Sequence, residues 1–410
     1  MSEVSSLVAI TGMGVVSPIG NGVEQFWQAS VAGRSGIRQI QRFDVSKLAC
    51  KVGAQVEGLE NNPYYKSAWK SLDLSGAMAL TAASEALSQA KASSEDGNSL
   101  RYGIFVGTGT GSITTHEASV CKVIAGERLH PLSILRAMPN AALSELVSYC
   151  GFGGPSATFS AACTSSSHAI GEAFKAIQAD RADLILAGGT DAPLSPPLYA
   201  AWNAMRVMSN WAGEPAGACR PFSNDRSGLV LGEGAAFVVL ENPEHARKRG
   251  VEPLGYLCGY ASNTTFDHPT RPGVEPEKIV MQAAMRDAGI DASEIDYIYA
   301  HGTGTKANDG TETQAIKAAF GEALAYNIPV SSPKASYGHT LGACGAFGCI
   351  TALLGLHHKT AVPTINLYNP DPVCDLNYVP NEAQSLNTGR FALVNSFGFG
   401  GSNATLVVGS

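Results

Sequence analysis

One cysteine at a strand-to-helix junction and two histidines in glycine-rich turns are the residues of this chain whose types and settings could do chemistry. Cys163 follows the apolar run Ala157 to Ala162 and precedes a helix expected over Thr164 to Ala179, where Ile170, Phe174 and Ile177 recur at i, i+4 and i+7. A thiol there faces helix N–H groups that lack intrahelical partners. Together with the helix dipole they favour thiolate over thiol, so the expected pKa is lowered and the sulfur is a nucleophile near neutral pH. Small neighbours, Thr164 to Ser167, let other loops come close. A free cysteine by itself is most often only packed, so Cys163 needs partners.

The histidines supply them. His301 stands in His301-Gly302-Thr303-Gly304-Thr305 and His339 in Gly338-His339-Thr340-Leu341-Gly342. Two imidazoles that donate N–H groups toward one carbonyl oxygen stabilise the enolate formed when a malonyl thioester loses CO₂. That enolate can attack an acyl group held on Cys163. His168, inside the nucleophile's own helix, reads as packing.

The elements that must hold these groups alternate between strand and helix, which gives an α/β class. A strand is expected from Val8 to Thr11, ended by a turn at Gly12-Met13-Gly14. A helix is expected from Leu74 to Ala90, starting near Asp73, and a buried strand from Tyr102 to Val106, running into Gly107-Thr108-Gly109-Thr110-Gly111. Three strand-and-turn segments recur in order: Ile104 to Thr110 with Ile298 to Thr305, Thr158 to Cys163 with Val330 to Lys334, and Leu184 to Asp191 with Leu393 to Asn403. A duplicated α/β unit is therefore expected, with its junction between residues 250 and 257 and halves 1–252 and 253–410.

Composition bounds the class. The chain has 410 residues and is 45% hydrophobic, enough for two fused cores, and its 45 glycines suit many tight strand-to-loop turns. Nine cysteines without a CxxC pair argue against a disulfide framework or a structural zinc site, and no metal site is expected. A net charge of −7 excludes a generally basic nucleic-acid binder. Met1 to Ser6 carries no positive leader and no apolar window reaches membrane-span length, so a cytoplasmic protein is expected. Gly107 to Gly111 lacks the G-x-G-x-x-G spacing and the later acidic residue of a dinucleotide site.

Four motifs in order now carry a family resemblance: Ser160-Ala161-Ala162-Cys163-Thr164-Ser165, His301 to Thr305, Lys334-Ala335-Ser336-Tyr337-Gly338-His339, and Asn395-Ser396-Phe397-Gly398-Phe399-Gly400-Gly401. From Val8 to Val408 the chain resembles the β-ketoacyl-[acyl carrier protein] synthase I/II family. The resemblance implies a thiolase-like fold, five-layered αβαβα from two duplicated halves. It also implies decarboxylative condensation of an acyl group on Cys163 with malonyl-acyl carrier protein, and no organic cofactor beyond the carrier's phosphopantetheine. Cys163 would be the acyl acceptor, with His301 and His339 the decarboxylating pair. Lys334 would orient the second histidine, and Glu312 would pair with that lysine. Thr303 and Thr305 would bind the phosphopantetheine arm, and Phe397 would be a further substrate contact. N–H groups of Cys163 and Phe399 would form the oxyanion hole, with the Phe399 ring as gate.

The implied partners are an acidic acyl carrier protein, docked on Lys66, Lys70 and Arg206, and a second subunit. That subunit would be a copy of this chain or a related chain-length factor. Two stretches depart from the housekeeping members of the family: His116 to Tyr149, whose Ile134 to Met138 is expected to line the acyl tunnel or the dimer interface, and Asn210 to Pro215, with a bulky Trp211. Fatty-acid elongation and type II polyketide or polyene synthesis both stay open. The alternative, a non-catalytic chain-length-factor-like subunit, would lack the nucleophile; a thiolase would need a second cysteine in the C-terminal glycine loop, and a starter-unit condensing enzyme would use Asn for the second histidine.

Overall fold

The computed structural model describes residues 7–96 and 98–410; Met1 to Ser6, read above for a leader, lie outside the described residues. The strands that position the site are Val8–Ser17 (β1), Tyr102–Gly107 (β2), Ser156–Phe159 (β3), Leu184–Asp191 (β4), Gly234–Glu241 (β5), Gly255–Thr264 (β6), Ile295–Tyr299 (β7), Val330–Ser331 (β8), Phe391–Phe397 (β9) and Ser402–Gly409 (β10). They run in the order β8-β7-β9-β10-β6-β1-β5-β4-β2-β3. From either end inward, three parallel strands are followed by two antiparallel ones. The two arrays meet where Val8 to Ile10 of β1 pair with Gly255 to Leu257 of β6. The three sequence pairs noted above fall on β2 with β7, β3 with β8 and β4 with β9.

Helices complete five layers. Leu74–Gln89 (α1), Ile113–Ile124 (α2) and Ala141–Cys150 (α3) belong to the N-terminal half, and α1 and α3 pack together over its strands. Ser165–Gln178 (α4) and Cys344–His357 (α8) lie side by side between the two arrays, with Pro196–Ala204 (α5) near the pocket. Val274–Ala288 (α6) and Lys306–Phe320 (α7) cover the outer face of the C-terminal half. Every residue of α8 except His357 is buried, as a middle layer requires. One core joins both arrays through α4 and α8, including Ile170, Phe174, Phe347 and Leu353.

The turn expected at Gly12 to Gly14 is not a turn. β1 runs through it with a bulge between Ile10 and Gly12, because α1 presses on the strand there. A Cβ at Gly12 would lie 2.1 Å from the Ala86 carbonyl oxygen, and one at Gly14 1.8 Å from that of Ala82. The helix itself begins as expected, with Asp73 accepting the Ser75 N–H.

Candidate active site

Cys163 sits at a strained elbow. β3 ends at Phe159, Ala162 takes a left-handed φ of 50°, and α4 starts two residues after the cysteine. Such a conformation costs about 1–3 kcal/mol for a non-glycine residue and persists only when its surroundings hold it. Here the Ala161 N–H donates to Ser165 Oγ, and the N–H groups of Thr164 and Ser165 donate to the carbonyls of Ala161 and Ala162. The expected low thiol pKa is not met: burial pushes the Cys163 thiol up to about 12, while Lys334 and the Phe399 N–H pull the other way. Burial thus favours the neutral thiol of Cys163, since desolvation outweighs the helix end in a closed pocket.

The histidines arrive from the other half. His301 follows β7, and the Gly302 φ of 35° turns the chain immediately after it. His339 follows a one-turn helix at Lys334–Tyr337. The two rings stand edge to face with centroids 5.5 Å apart, and Phe397 lies 5.9 Å from His301. Cys163 Sγ and one nitrogen of each imidazole all lie within 4.8 Å of one another. His339 Nδ1 accepts the Leu341 N–H at 3.1 Å, so the proton of the neutral ring is on Nε2. Burial and the charge of Lys334 hold His301 well below its ordinary value and His339 down at about 3. Both rings are neutral N–H donors. Sulfur and two imidazoles could ligate a soft cation, but an ammonium group beside them repels one; the same charge suits an oxygen that turns anionic.

Lys334 is 1% exposed, which removes the surface reading. The expected pairing with Glu312 is not a direct ion pair: the Lys334 charge acts on that carboxylate through space, without contact. Among the described residues Lys334 Nζ has no hydrogen-bond partner, and Glu312 instead accepts the N–H groups of His301 at 2.7 Å and Gly302 at 2.8 Å. The Asn308 and Asn395 side-chain amides complete its shell. Glu312 thus fixes the turn that carries His301. Thr303 and Thr305 join their hydroxyls at 2.9 Å in the pocket wall, and Phe399 stacks on Trp202 of α5 at 5.8 Å across the mouth. Gly398 comes so close to the nucleophile that a Cβ there would sit 3.3 Å from the Cys163 nitrogen, which sets the Phe399 loop beside it.

Lys66, Lys70 and Arg206 do not line the pocket. Arg206 is exposed next to Val207, which does; Lys66 lies over the Tyr149 ring at 4.4 Å on a separate turn with Lys70. Trp211 folds against the Arg220 guanidinium at 3.5 Å, away from the pocket wall. Ile134 to Met138 do not line the pocket either. Ile134, Leu135 and Met138 are exposed in the single chain, on or just after a short helix that packs with α2, where Val123 and Ile124 are exposed too. His168 bonds with Tyr260 and Ser402 hydroxyls, a packing role.

Three residues escaped the sequence reading. Asp191, at the end of β4, accepts the N–H groups of Gly109, Thr110 and Gly342 and the hydroxyls of Thr108 and Thr110. The glycine loop Gly107 to Gly111 is filled by this carboxylate, which also ties it to the turn after His339. Asp309 likewise collects the N–H groups of Phe222, Thr303 and Gly304. Arg271 lines the pocket mouth from a loop with no periodicity to mark it.

A thiol, two neutral imidazoles and a buried ammonium at the meeting point of two α/β halves define a condensing-enzyme site. The chain belongs to the β-ketoacyl synthase family: the N-terminal domain of that family matches residues 5–246 and the C-terminal domain residues 254–368. It is 39% identical to 3-oxoacyl-[acyl-carrier-protein] synthase 2 of Coxiella burnetii, over 98% of each chain. It is 38% identical to nodulation protein E of Rhizobium meliloti, over 97% of this chain and 98% of that one. Among solved structures, a β-ketoacyl synthase from Burkholderia phymatum matches with a TM-score of 0.91 and 33% identity, over 98% of this chain and 99% of that one. The ishigamide ketosynthase/chain length factor matches at 0.90 and 31%, with the same coverage. A type II polyketide ketosynthase, solved with its acyl-carrier protein and bound to the hexaketide, matches at 0.90 and 30%, again with that coverage.

Proposed function

We propose that the chain is a β-ketoacyl-[acyl carrier protein] synthase that extends an acyl chain by two carbons per turn. The observation that carries this is the convergence of Cys163, His301 and His339 within 4.8 Å. In the first half-reaction the Cys163 sulfur attacks the acyl thioester carbonyl. The N–H groups of Cys163 and Phe399 receive the oxyanion, and the thiol proton leaves with the carrier's sulfhydryl. In the second, the thioester carbonyl of malonyl-acyl carrier protein accepts N–H bonds from His301 and His339. Loss of CO₂ leaves an enolate, whose carbon attacks the acyl group on Cys163. Collapse of that adduct frees the sulfur and yields the β-ketoacyl product. Each preorganised donor contributes roughly 10²–10³ in rate.

Lys334 supplies fixed positive charge to this sequence, Glu312 holds the His301 turn, and Thr303, Thr305 and Phe397 guide the pantetheine arm and acyl chain. Both substrates are carrier-bound thioesters, so no further organic cofactor enters. The partner is an acyl carrier protein, met by Arg206, with Lys66 and Lys70 as outlying cations. The second subunit, a copy of this chain or a chain-length-factor-like relative, covers the apolar face around Ile124 and Ile134. The halves divide at 252/253. Among the described residues no helix is long and apolar enough to cross a membrane, in keeping with the cytoplasmic setting proposed here. A non-catalytic subunit is disfavoured by the complete set of reactive groups.

Purified protein, alone and with its partner subunit, incubated with acyl-carrier thioesters of graded length and unsaturation and then with malonyl-carrier protein, tests the reading. Turnover of saturated chains places the enzyme in fatty-acid elongation. Selective turnover of conjugated or aromatic starters places it in a polyketide or polyene pathway, and no product from any starter contradicts the assignment.

A further inference from the structure

A fully buried ammonium group needs compensation, because burying an unpaired charge is among the costliest things a fold can do. Lys334 has no hydrogen-bond acceptor among the described residues, and the oxygens of Glu312 are taken up by four N–H donors. What does face the charge is an aromatic ring: Lys334 Nζ lies over Tyr299, 5.3 Å from its centroid, within the range of a cation–π contact.

That ring is held in place from two sides. Tyr299 is the last residue of β7, two positions before His301. Its hydroxyl lies 2.6 Å from that of Tyr337. Tyr337 is three residues beyond Lys334 in the same helical turn, and its own ring stacks on Phe347 at 5.2 Å. A single turn therefore places a cation on the face of Tyr299 and a phenol at its edge. Gly348 of α8 leaves room for the ring: a Cβ there would come 2.9 Å from two ring carbons of Tyr299 and 2.6 Å from Val394 Cγ1.

We propose that Tyr299 is a positioning residue of the condensing site, its ring face carrying the Lys334 ammonium and thereby fixing positive charge beside His301, His339 and Cys163. The inference rests on the condensing-enzyme reading. A ring face differs from a carboxylate in one respect that matters for the reaction: it steadies the cation without cancelling it. With Glu312 acting on it only through space and no carboxylate in contact among the described residues, the charge stays available to an enolate oxygen. An ion pair in the same place would have halved the point of burying the lysine.

The test is decarboxylation of malonyl-acyl carrier protein by the full-length enzyme, with kcat and KM measured separately and folding checked by thermal melting. Tyr299→Phe keeps the face and is expected within about threefold of wild type. Tyr299→Leu removes it and is expected to lower kcat about thirtyfold with KM within about twofold, the size of a desolvated cation–π contact. In a Lys334→Met background the same leucine substitution is expected to change kcat no further. If the leucine variant does not fold, Tyr299→Met takes its place. Equal loss in the Phe and Leu variants, or a leucine effect that persists without Lys334, would overturn the role of Tyr299 while leaving the family reaction intact. An inactive wild type would overturn both.

Discussion

His301 and His339, brought from two separate turns of the C-terminal half, stand edge to face 5.5 Å apart over the sulfur that the N-terminal half delivers. Neither half holds a working site alone. Cys163, the proposed nucleophile, belongs to the β3–α4 elbow and the proposed decarboxylating pair to the turns after β7 and before α8, so the fusion of the two halves is what assembles the site.

His301→Asn and His339→Asn are each expected to lower malonyl-carrier decarboxylation by about a hundredfold or more, as removal of one oxyanion donor does elsewhere. Acyl transfer to Cys163 should survive in both variants. Separate assays of transfer and decarboxylation check this; an equal loss of both steps would contradict the division of labour.

The imidazole shifts set the pH behaviour. Both pKa values are moved down, His339 to about 3, so neither ring gains a proton as pH falls through 6.5. Decarboxylation kcat is expected to stay flat from about pH 8 to about pH 5.5, with no limb at the ordinary histidine value. Stability behaves differently. In the unfolded chain both rings protonate near 6.5, so below that pH the unfolded state binds more protons than the folded one. The stability held by the neutral rings is complete above about pH 6.5 and declines as pH drops toward their folded values. Melting curves across the same range check the sign.

Much of this was legible beforehand. The order of motifs singled out Cys163 and both histidines, which the fold brings together, and the duplication was visible because strand-turn repeats survive in sequence. What was not legible depends on approach rather than on pattern. Gly12 and Gly14 looked like a turn and proved to be the contact surface for α1, and the Cys163 thiol, read from its helix end, is governed by burial that no local pattern reveals. Lys334 and Glu312 looked like a pair. The carboxylate is engaged instead by the His301 turn, a contact between residues eleven positions apart that spacing alone does not distinguish from an ion pair.

Glu312→Ala tests that correction. Losing acceptors for the two buried N–H groups of His301 and Gly302 is expected to cost about 2–4 kcal/mol of stability and to lower kcat through a displaced His301. Lys334→Met, by contrast, should lower kcat with little loss of stability. Similar destabilisation in both would restore the ion-pair view.

At the mouth, Arg271→Ala is expected to raise KM about tenfold for malonyl-acyl carrier protein, whose arm carries a phosphodiester, and to leave KM for a phosphate-free malonyl thioester unchanged. Steady-state kinetics with the two donors decide it; equal effects on both would remove Arg271 from substrate binding.

The exposed face formed by Ile124 and Ile134, 81% and 70% accessible, should be covered in the working enzyme. Ile134→Asp is expected to convert the proposed dimer to single chains of 42.6 kDa by light scattering. A monomeric wild type, alone and with its partner subunit, would contradict this.

The most direct test of the central claim is the intact mass of the protein after exposure to an accepted acyl-carrier thioester, before and after malonyl-carrier protein is added. The account predicts one acyl group per chain, absent in Cys163→Ala, that disappears as β-ketoacyl-carrier protein forms. A product formed equally well by Cys163→Ala, or an acyl group carried on another residue, would contradict it.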